Sequence, residues 1–266
     1  MERLKKTFAR LAEHGETALV AYLTAGYPSL AETGPLIEAV CSAGADIIEL
    51  GVPFSDPLGD GPVIQATTQA ALDGGVTTAA VLDIVAGARE NGVDVPIMLM
   101  GYCNPFLRYG LAQLYADAAA AGADGFIVPD LPPHEADEWL SAADTHQLGQ
   151  VFFSAPGSSA ERLRSTTGRS RGFLYSLAAN GVTGIREQLD PGIDAYLGRV
   201  REAAGPLPVC VGFGISRPEH VAALRGRAEG VIVGSALLRA IGDAKSTPDR
   251  ILAAAELVGK LKAACR

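Results

Sequence analysis

An eight-stranded α/β barrel, a (β/α)8 fold, is the class this sequence predicts, on three observations. Short and almost wholly apolar runs alternate with helix-length stretches along all 266 residues. There are eight such alternations, and no linker or low-complexity stretch divides the chain. Apolar runs of four to seven residues bounded by Gly, Pro or Asp read as strands buried on both faces, as in a parallel sheet. A doubly wound open sheet ranks second, because it usually holds about five to seven strands. Barrels run to ~250 residues as one domain, so residues 1–266 are expected to form a single barrel domain.

The first element expected is a short amphipathic helix, with Leu4, Phe8 and Leu11 at helical spacing, capping the barrel. It lacks the apolar core of a signal peptide, and no run reaches membrane-spanning length. The strands fall at residues 18–24, 46–52, 95–101, 125–130, 150–154, 172–177, 208–213 and 230–234. Helices are expected at 30–43, 79–91, 111–121, 133–145, 160–166, 195–203, 218–224 and 250–264. Ser29, Thr78, Ser158 or Ser159, and Ser216 read as N-caps of four of them. The tetrapeptide Ala-Gly-Ala-Asp occurs at 43–46 and again at 121–124, each time just before a strand, as a C-cap glycine leading into a strand start.

Composition narrows the chemistry. Hydrophobic residues make up 48% and charged residues 20%, so a large core is available. The net charge is -8 and no basic stripe occurs, which removes nucleic acid as a partner. Cys41, Cys103, Cys210 and Cys265 match no zinc spacing and read as small buried thiols, as in a cytoplasmic protein. All five lysines lie near the chain ends, which excludes a Schiff-base aldolase or a lysine-anchored pyridoxal phosphate. His14, His134, His146 and His220 have no ligand spacing and stand at no strand end, so they read as surface or helix residues. The acidic set Glu49, Asp56 and Asp60 is small for Mg²⁺, so no metal and no cofactor are expected.

In barrels of this kind the reactive groups sit at the C-terminal ends of the strands and in the loops that follow. After the second strand stands Glu49, a carboxylate inside an apolar run, with Ile48 and Leu50 on the opposite face. A structural ion pair is the lesser alternative, because no basic residue lies near the ends of the first three strands. Burial raises a carboxyl's pKa, which suits a group that must hold and release a proton. Asp56 and Asp60 lie in a Gly/Pro-rich loop, where Asp is also an ordinary turn residue. Gly212 and Gly214 after the seventh strand, with Gly234 and Ser235 after the eighth, have the form of a phosphate cradle on backbone N–H groups, though tight turns would look the same. Asn180, Gly181, Thr183 and Gly184 form a loop suited to closing over a site, and Gly184 could reach the phosphate. Carboxylates, Tyr102, Tyr175 and backbone donors can run proton transfer, isomerisation, or a retro-aldol cleavage whose electron sink belongs to the substrate.

The segment from Glu49 through Pro62, Glu-Leu-Gly-Val-Pro-Phe-Ser-Asp-Pro-Leu-Gly-Asp-Gly-Pro, closely resembles the alpha subunit of tryptophan synthase. Leu23-Thr-Ala-Gly-Tyr-Pro, Val128-Pro-Asp-Leu-Pro, Gly181-Val-Thr-Gly, Gly212-Phe-Gly-Ile-Ser and Gly234-Ser-Ala support it along essentially the whole chain. The resemblance implies a TIM barrel that cleaves indole-3-glycerol phosphate to indole and glyceraldehyde 3-phosphate in tryptophan biosynthesis. It implies Glu49 as acid–base, Asp60 as acceptor of the indole N–H, and Tyr175 beside the glycerol chain. Gly184, Gly214, Gly234 and Ser235 would hold the phosphate, and Thr183 would act in the closing loop. Tyr22, Met100, Tyr102, Ile127 and Phe153 would line the substrate slot, although simple barrel filling would also account for apolar side chains there. It further implies a pyridoxal-phosphate beta subunit in an alpha2beta2 assembly, met by Asp56, Pro57, Asn104 and Pro132. Phe106 and Leu107 would add apolar surface there or tuck inward. Where the family commonly carries Ser and then often Arg before the Gly-Val-Thr-Gly loop, this chain has Ala178 and Ala179. A stand-alone lyase that releases free indole, a sugar-phosphate isomerase or epimerase, and a non-catalytic activator are the other readings.

Overall fold

The structure is a computed structural model and describes residues 1–178, 192–212 and 214–266. Helix α1 (Glu2–His14) precedes strand β1 (Ala18–Thr24). There follow α2 (Leu30–Ser42), β2 (Ile47–Gly51), α3 (Pro62–Asp73), α4 (Thr78–Glu90) and β3 (Ile97–Met100). Next come α5 (Cys103–Tyr109), α6 (Leu111–Ala121), β4 (Gly125–Ile127), a 3-10 turn (Pro133–Glu135) and α7 (Asp137–His146). The second half holds β5 (Gly149–Val151), β6 (Phe153–Ser154), α8 (Ala160–Arg169), β7 (Leu174–Leu177), α9 (Ile193–Ala204) and β8 (Val209–Gly212). It ends with α10 (Pro218–Leu224), β9 (Gly230–Val233), α11 (Ser235–Asp243) and α12 (Thr247–Cys265).

The sheet is nine-stranded and parallel throughout, in the order β5-β4-β3-β2-β1-β9-β8-β7-β6. Strands β5 and β6 are one stave interrupted at Phe152: the first part pairs with β4 and the second with β7, so chain continuity joins the two ends of the list. This yields the eight staves expected, in a nearly closed barrel. Sequence alternation divides the core in two, because successive strand residues point to opposite faces. Leu19, Ala21 and Leu23 face the surrounding helices, together with Ile48 and Leu50. Val20, Tyr22, Ile47, Met98, Val151 and Phe173 face the barrel interior, where Leu4 and Phe8 of α1 pack against them as a plug.

The repeated Ala-Gly-Ala-Asp motif has a physical role at both of its sites. Gly44 and Gly122 hold φ of 108° and 90°, conformations that glycine reaches without a Cβ penalty. The aspartate that follows is buried, and its carboxylate accepts a backbone N–H from the preceding strand: Leu19 to Asp46 at 2.9 Å and Ile97 to Asp124 at 3.0 Å. Each carboxylate is neutralised from outside the sheet, Asp46 by Lys262 and Arg10, Asp124 by Arg89 and Arg3. The motif therefore sets strand register at the end of the barrel away from the strand C-termini.

Several local expectations are corrected. Helices α3, α5 and α11 lie in stretches to which the sequence reading assigned no helix. Thr77, not Thr78, caps α4, accepting from Ala80 N at 3.2 Å. Ser159 caps α8 as expected, whereas Arg217 rather than Ser216 occupies the cap position of α10. Ser29 caps α2 by backbone position alone; its hydroxyl donates to Glu32 at 3.0 Å. The stretch 133–145 begins as a 3-10 turn before the helix proper. Among the described residues no single helix is long and apolar enough to cross a membrane.

Candidate active site

At the C-terminal ends of the strands an open cavity of about 620 Å³ is lined by Tyr22, Glu49, Asp60, Met100, Phe153 and Tyr175, among others. Glu49 enters from β2 between Tyr22 of β1 and Met98 of β3, its neighbours in register. It is 2% exposed, and its Oε2 has no hydrogen-bond partner. No cation neutralises it among the described residues: burial first, then the charge of Asp60, pushes its pKa up from 4.5 to about 8. The structural ion pair that sequence left open is absent there.

Asp60 arrives from the loop between β2 and α3. The Tyr102 hydroxyl donates to Asp60 Oδ2 at 2.8 Å and accepts from Gly59 N at 3.0 Å. Gln65 Nε2 donates to the Asp60 backbone carbonyl at 2.7 Å. Burial raises the Asp60 pKa from 3.8 to about 6, and the Tyr102 bond opposes that rise. The site therefore holds two buried carboxyls with separated titrations, one protonated and one ionised near neutrality, which is the signature of assigned acid and base roles.

Glycine makes room for the tyrosines. A Cβ on Gly51 would overlap the Tyr22 hydroxyl, and one on Gly212 would overlap the Tyr175 ring. Phe153 and Tyr175 stack with ring centroids 4.5 Å apart, forming an aromatic wall. Gly214, Ile215, Gly234, Ser235 and Ala236, which follow β8 and β9, line the same cavity. Gly234 is the N-cap of α11, whose first-turn N–H groups have no carbonyl partner within the helix and whose dipole favours an anion. Among the described residues no group of three or more His, Cys, Asp or Glu could hold a metal ion.

The family model described as "Tryptophan synthase alpha chain" matches residues 8–266.

The chain belongs to the tryptophan synthase alpha chain family.

The tryptophan synthase alpha chain of Roseiflexus castenholzii is 48% identical over 263 residues, covering 98% of this chain and all of that one. The tryptophan synthase alpha chain of Chloroflexus aurantiacus is 45% identical over 264 residues, covering 99% of this chain and 98% of that one. In three dimensions, the structure of Mycobacterium tuberculosis tryptophan synthase superposes with a TM-score of 0.91 at 40% identity, covering 99% of this chain and 98% of that one. Tryptophan synthase subunit alpha of Legionella pneumophila gives 0.90 at 36% identity, covering 99% and 98%.

Measured against the family reading, the structure brings most of the sequence-chosen residues together. Tyr22, Glu49, Asp60, Met100, Phe153, Tyr175, Gly214, Gly234 and Ser235 share one cavity. Two chosen lining residues stand elsewhere: Ile127 is fully buried in the barrel interior, and Tyr102 stands behind Asp60 rather than on the cavity wall. Ile127 is the register neighbour of Met100 on β3 yet is wholly covered, so Met100 forms the wall at that level. Thr183 and Gly184, with Ala179, lie outside the described residues. Asp56 and Asn104 are exposed on the same rim, and Pro57 and Pro132 are half-buried there. Leu58 is 85% and Leu107 54% exposed, whereas Phe106 tucks inward against Phe126. Sequence reasoning passed over Ile64, Pro129, Ile215, Ile232 and Ala236 as lining residues. The Gly61-Pro62 pair at the start of α3 was the available signal for Ile64, because Pro favours the first helical turn.

Proposed function

We propose that Glu49 and Asp60 perform the family's reaction, the carbon–carbon cleavage of indole-3-glycerol phosphate to indole and glyceraldehyde 3-phosphate. As a member of the family the chain is a lyase of tryptophan biosynthesis. In the proposed cycle protonated Glu49 delivers its proton to indole C3, which turns the ring nitrogen into an electron acceptor. Asp60, ionised, accepts the ring N–H and stabilises the positive charge. The resulting Glu49 carboxylate then removes the proton from the side-chain hydroxyl adjacent to the ring. The C–C bond breaks, its electron pair returns to the ring, and glyceraldehyde 3-phosphate leaves as the new carbonyl. Glu49 ends protonated, so the cycle balances without a metal or a second acid. Tyr175 packs beside the glycerol chain. In this reading the phosphate is held by backbone N–H groups at Gly184, Gly214, Gly234 and Ser235, and Thr183 acts in the closing loop.

The observation that supports this most directly is a carboxyl with no neutralising cation among the described residues, 2% exposed, on the wall of a cavity that a helix N-terminus also lines. A sugar-phosphate isomerase would need neither the apolar slot nor Asp60. Tryptophan synthase alpha chains work with a beta subunit. In our reading this chain does the same in an alpha2beta2 assembly, as one cytoplasmic barrel domain spanning residues 1–266. The partner would be met by Asp56, Pro57, Asn104 and Pro132, with exposed Leu58 and Leu107 adding apolar area. Indole release by the purified protein tests the chemistry. Glu49→Gln should lower kcat by several orders of magnitude with the fold retained; an active variant refutes the role. Addition of the beta subunit should raise turnover, and an unchanged rate would favour the stand-alone lyase.

A further inference from the structure

The Tyr22 hydroxyl is a buried polar group that the mechanism above does not use. Tyr22 is 4% exposed and lines the cavity, with its Cβ side against Gly234 and its hydroxyl over Gly51. Among the described residues its one hydrogen-bond contact is with Thr24 Oγ1 at 3.5 Å, beyond the roughly 2.5–3.0 Å of a normal O–H···O bond. Counting protons shows which way that contact points. The Ile64 carbonyl can only accept, and it takes the Thr67 proton at 2.9 Å. Thr67 Oγ1 then takes the Thr24 proton at 2.8 Å. Thr24 thus spends its proton on Thr67, and its contact at 3.5 Å with Tyr22 Oη supplies no effective donor. The lone pairs of Tyr22 Oη are left without a donor. Burial keeps this phenol well above its usual pKa, so it stays a neutral hydroxyl, and Asp60 is the charged group that acts on it most strongly. Buried hydroxyls in native proteins are normally satisfied by protein, water or ligand.

We propose that Tyr22 Oη accepts the ring N–H of the bound substrate together with Asp60, making the slot selective for an aromatic ring that carries an N–H. This rests on the reading that the slot holds the indole ring with its nitrogen toward Asp60. Tyr22 is then a specificity-determining residue, and the substrate ring supplies its oxygen with the donor that its described protein neighbours do not.

The test compares wild type with Tyr22→Phe, using indole-3-propanol phosphate and its 1-methyl derivative as non-cleavable probes in calorimetric titration. The variant should bind the N–H probe about five- to tenfold more weakly, the loss of one net hydrogen bond. Its affinity for the methylated probe should stay within about twofold, and the unfolding midpoint of the unliganded protein should be unchanged or higher. Equal weakening of both probes, unaltered binding of the N–H probe, or a lower unliganded midpoint would each overturn the proposal. Indole release by wild type, measured in parallel, tests the underlying reading separately: an inactive wild type removes that reading, whereas an active wild type with an indifferent Tyr22→Phe removes only this inference.

Discussion

Tyr102→Phe removes one oxygen atom from behind Asp60 and nothing from the cavity wall. That oxygen donates to Asp60 Oδ2 at 2.8 Å and is the group that holds the Asp60 pKa down against burial. A hydrogen bond to a charged acceptor contributes about 1.5–3 kcal/mol, and the protonated acid would keep a weaker one of about 1 kcal/mol. The difference favouring the ionised form is therefore about 1–2 kcal/mol, and one pH unit corresponds to about 1.4 kcal/mol. The reaction as proposed needs Asp60 ionised and Glu49 protonated, so kcat/KM should follow a bell with limbs at about 6 and about 8. Because the two carboxyls interact, these limbs belong to the pair. In Tyr102→Phe the acidic limb should rise by about one pH unit while the basic limb stays. At pH 6 the ionised fraction of Asp60 would fall about fivefold, and at pH 8 it would hardly change. The assay is kcat/KM for indole release at half-unit steps from pH 5 to 9. An acidic limb that does not move refutes the argument. A loss equal at every pH refutes it too, and would show that the Gly59 N–H contact matters in place of the charge.

Two further outcomes concern stability. Glu49 titrates at about 8 in the fold against 4.5 as a free group, so its contribution is fully present below 4.5 and is lost as pH rises through 8. Glu49→Gln should therefore match wild type in unfolding free energy near pH 4.5 and exceed it above pH 8, by at most on the order of 5 kcal/mol; a constant difference across that range would contradict the burial argument. Lys262 of α12 bonds Glu16 at 3.0 Å and Asp46 at 2.9 Å at the end of the barrel remote from the cavity, tying α12 to the start of β2. Lys262→Met should cost about 3 kcal/mol in urea unfolding at pH 7, the low end for a broken buried pair because Arg10 and the Leu19 N–H still serve Asp46. Its kcat should not change.

The alternation of apolar runs with helical stretches determined the barrel and the strand count, because staves covered on both faces must be apolar throughout. Glu49 stood out for the same reason: a charge in such a run has no solvent to meet. That Gly214, Gly234 and Ser235 line the cavity was legible because residues just after the last two strands of a barrel stand at its C-terminal face. Three things were decided only by the folded arrangement. Helix α3 follows a loop rich in Gly and Pro, where local turn preference masks a helix that tertiary packing stabilises, and α5 and α11 start too close behind their strands for a separate helical pattern to stand out. Tyr102 belongs behind Asp60, and Ile127 is covered where its register neighbour Met100 reaches the cavity, because a side chain's neighbours across the barrel depend on how strands and loops close around it. The pairing of Asp46 with Lys262 joins residues 216 apart in sequence, a contact that chain periodicity cannot encode. Local pattern specifies which face of each element is dry, whereas the identity of what lies across from it is settled when the eight staves close.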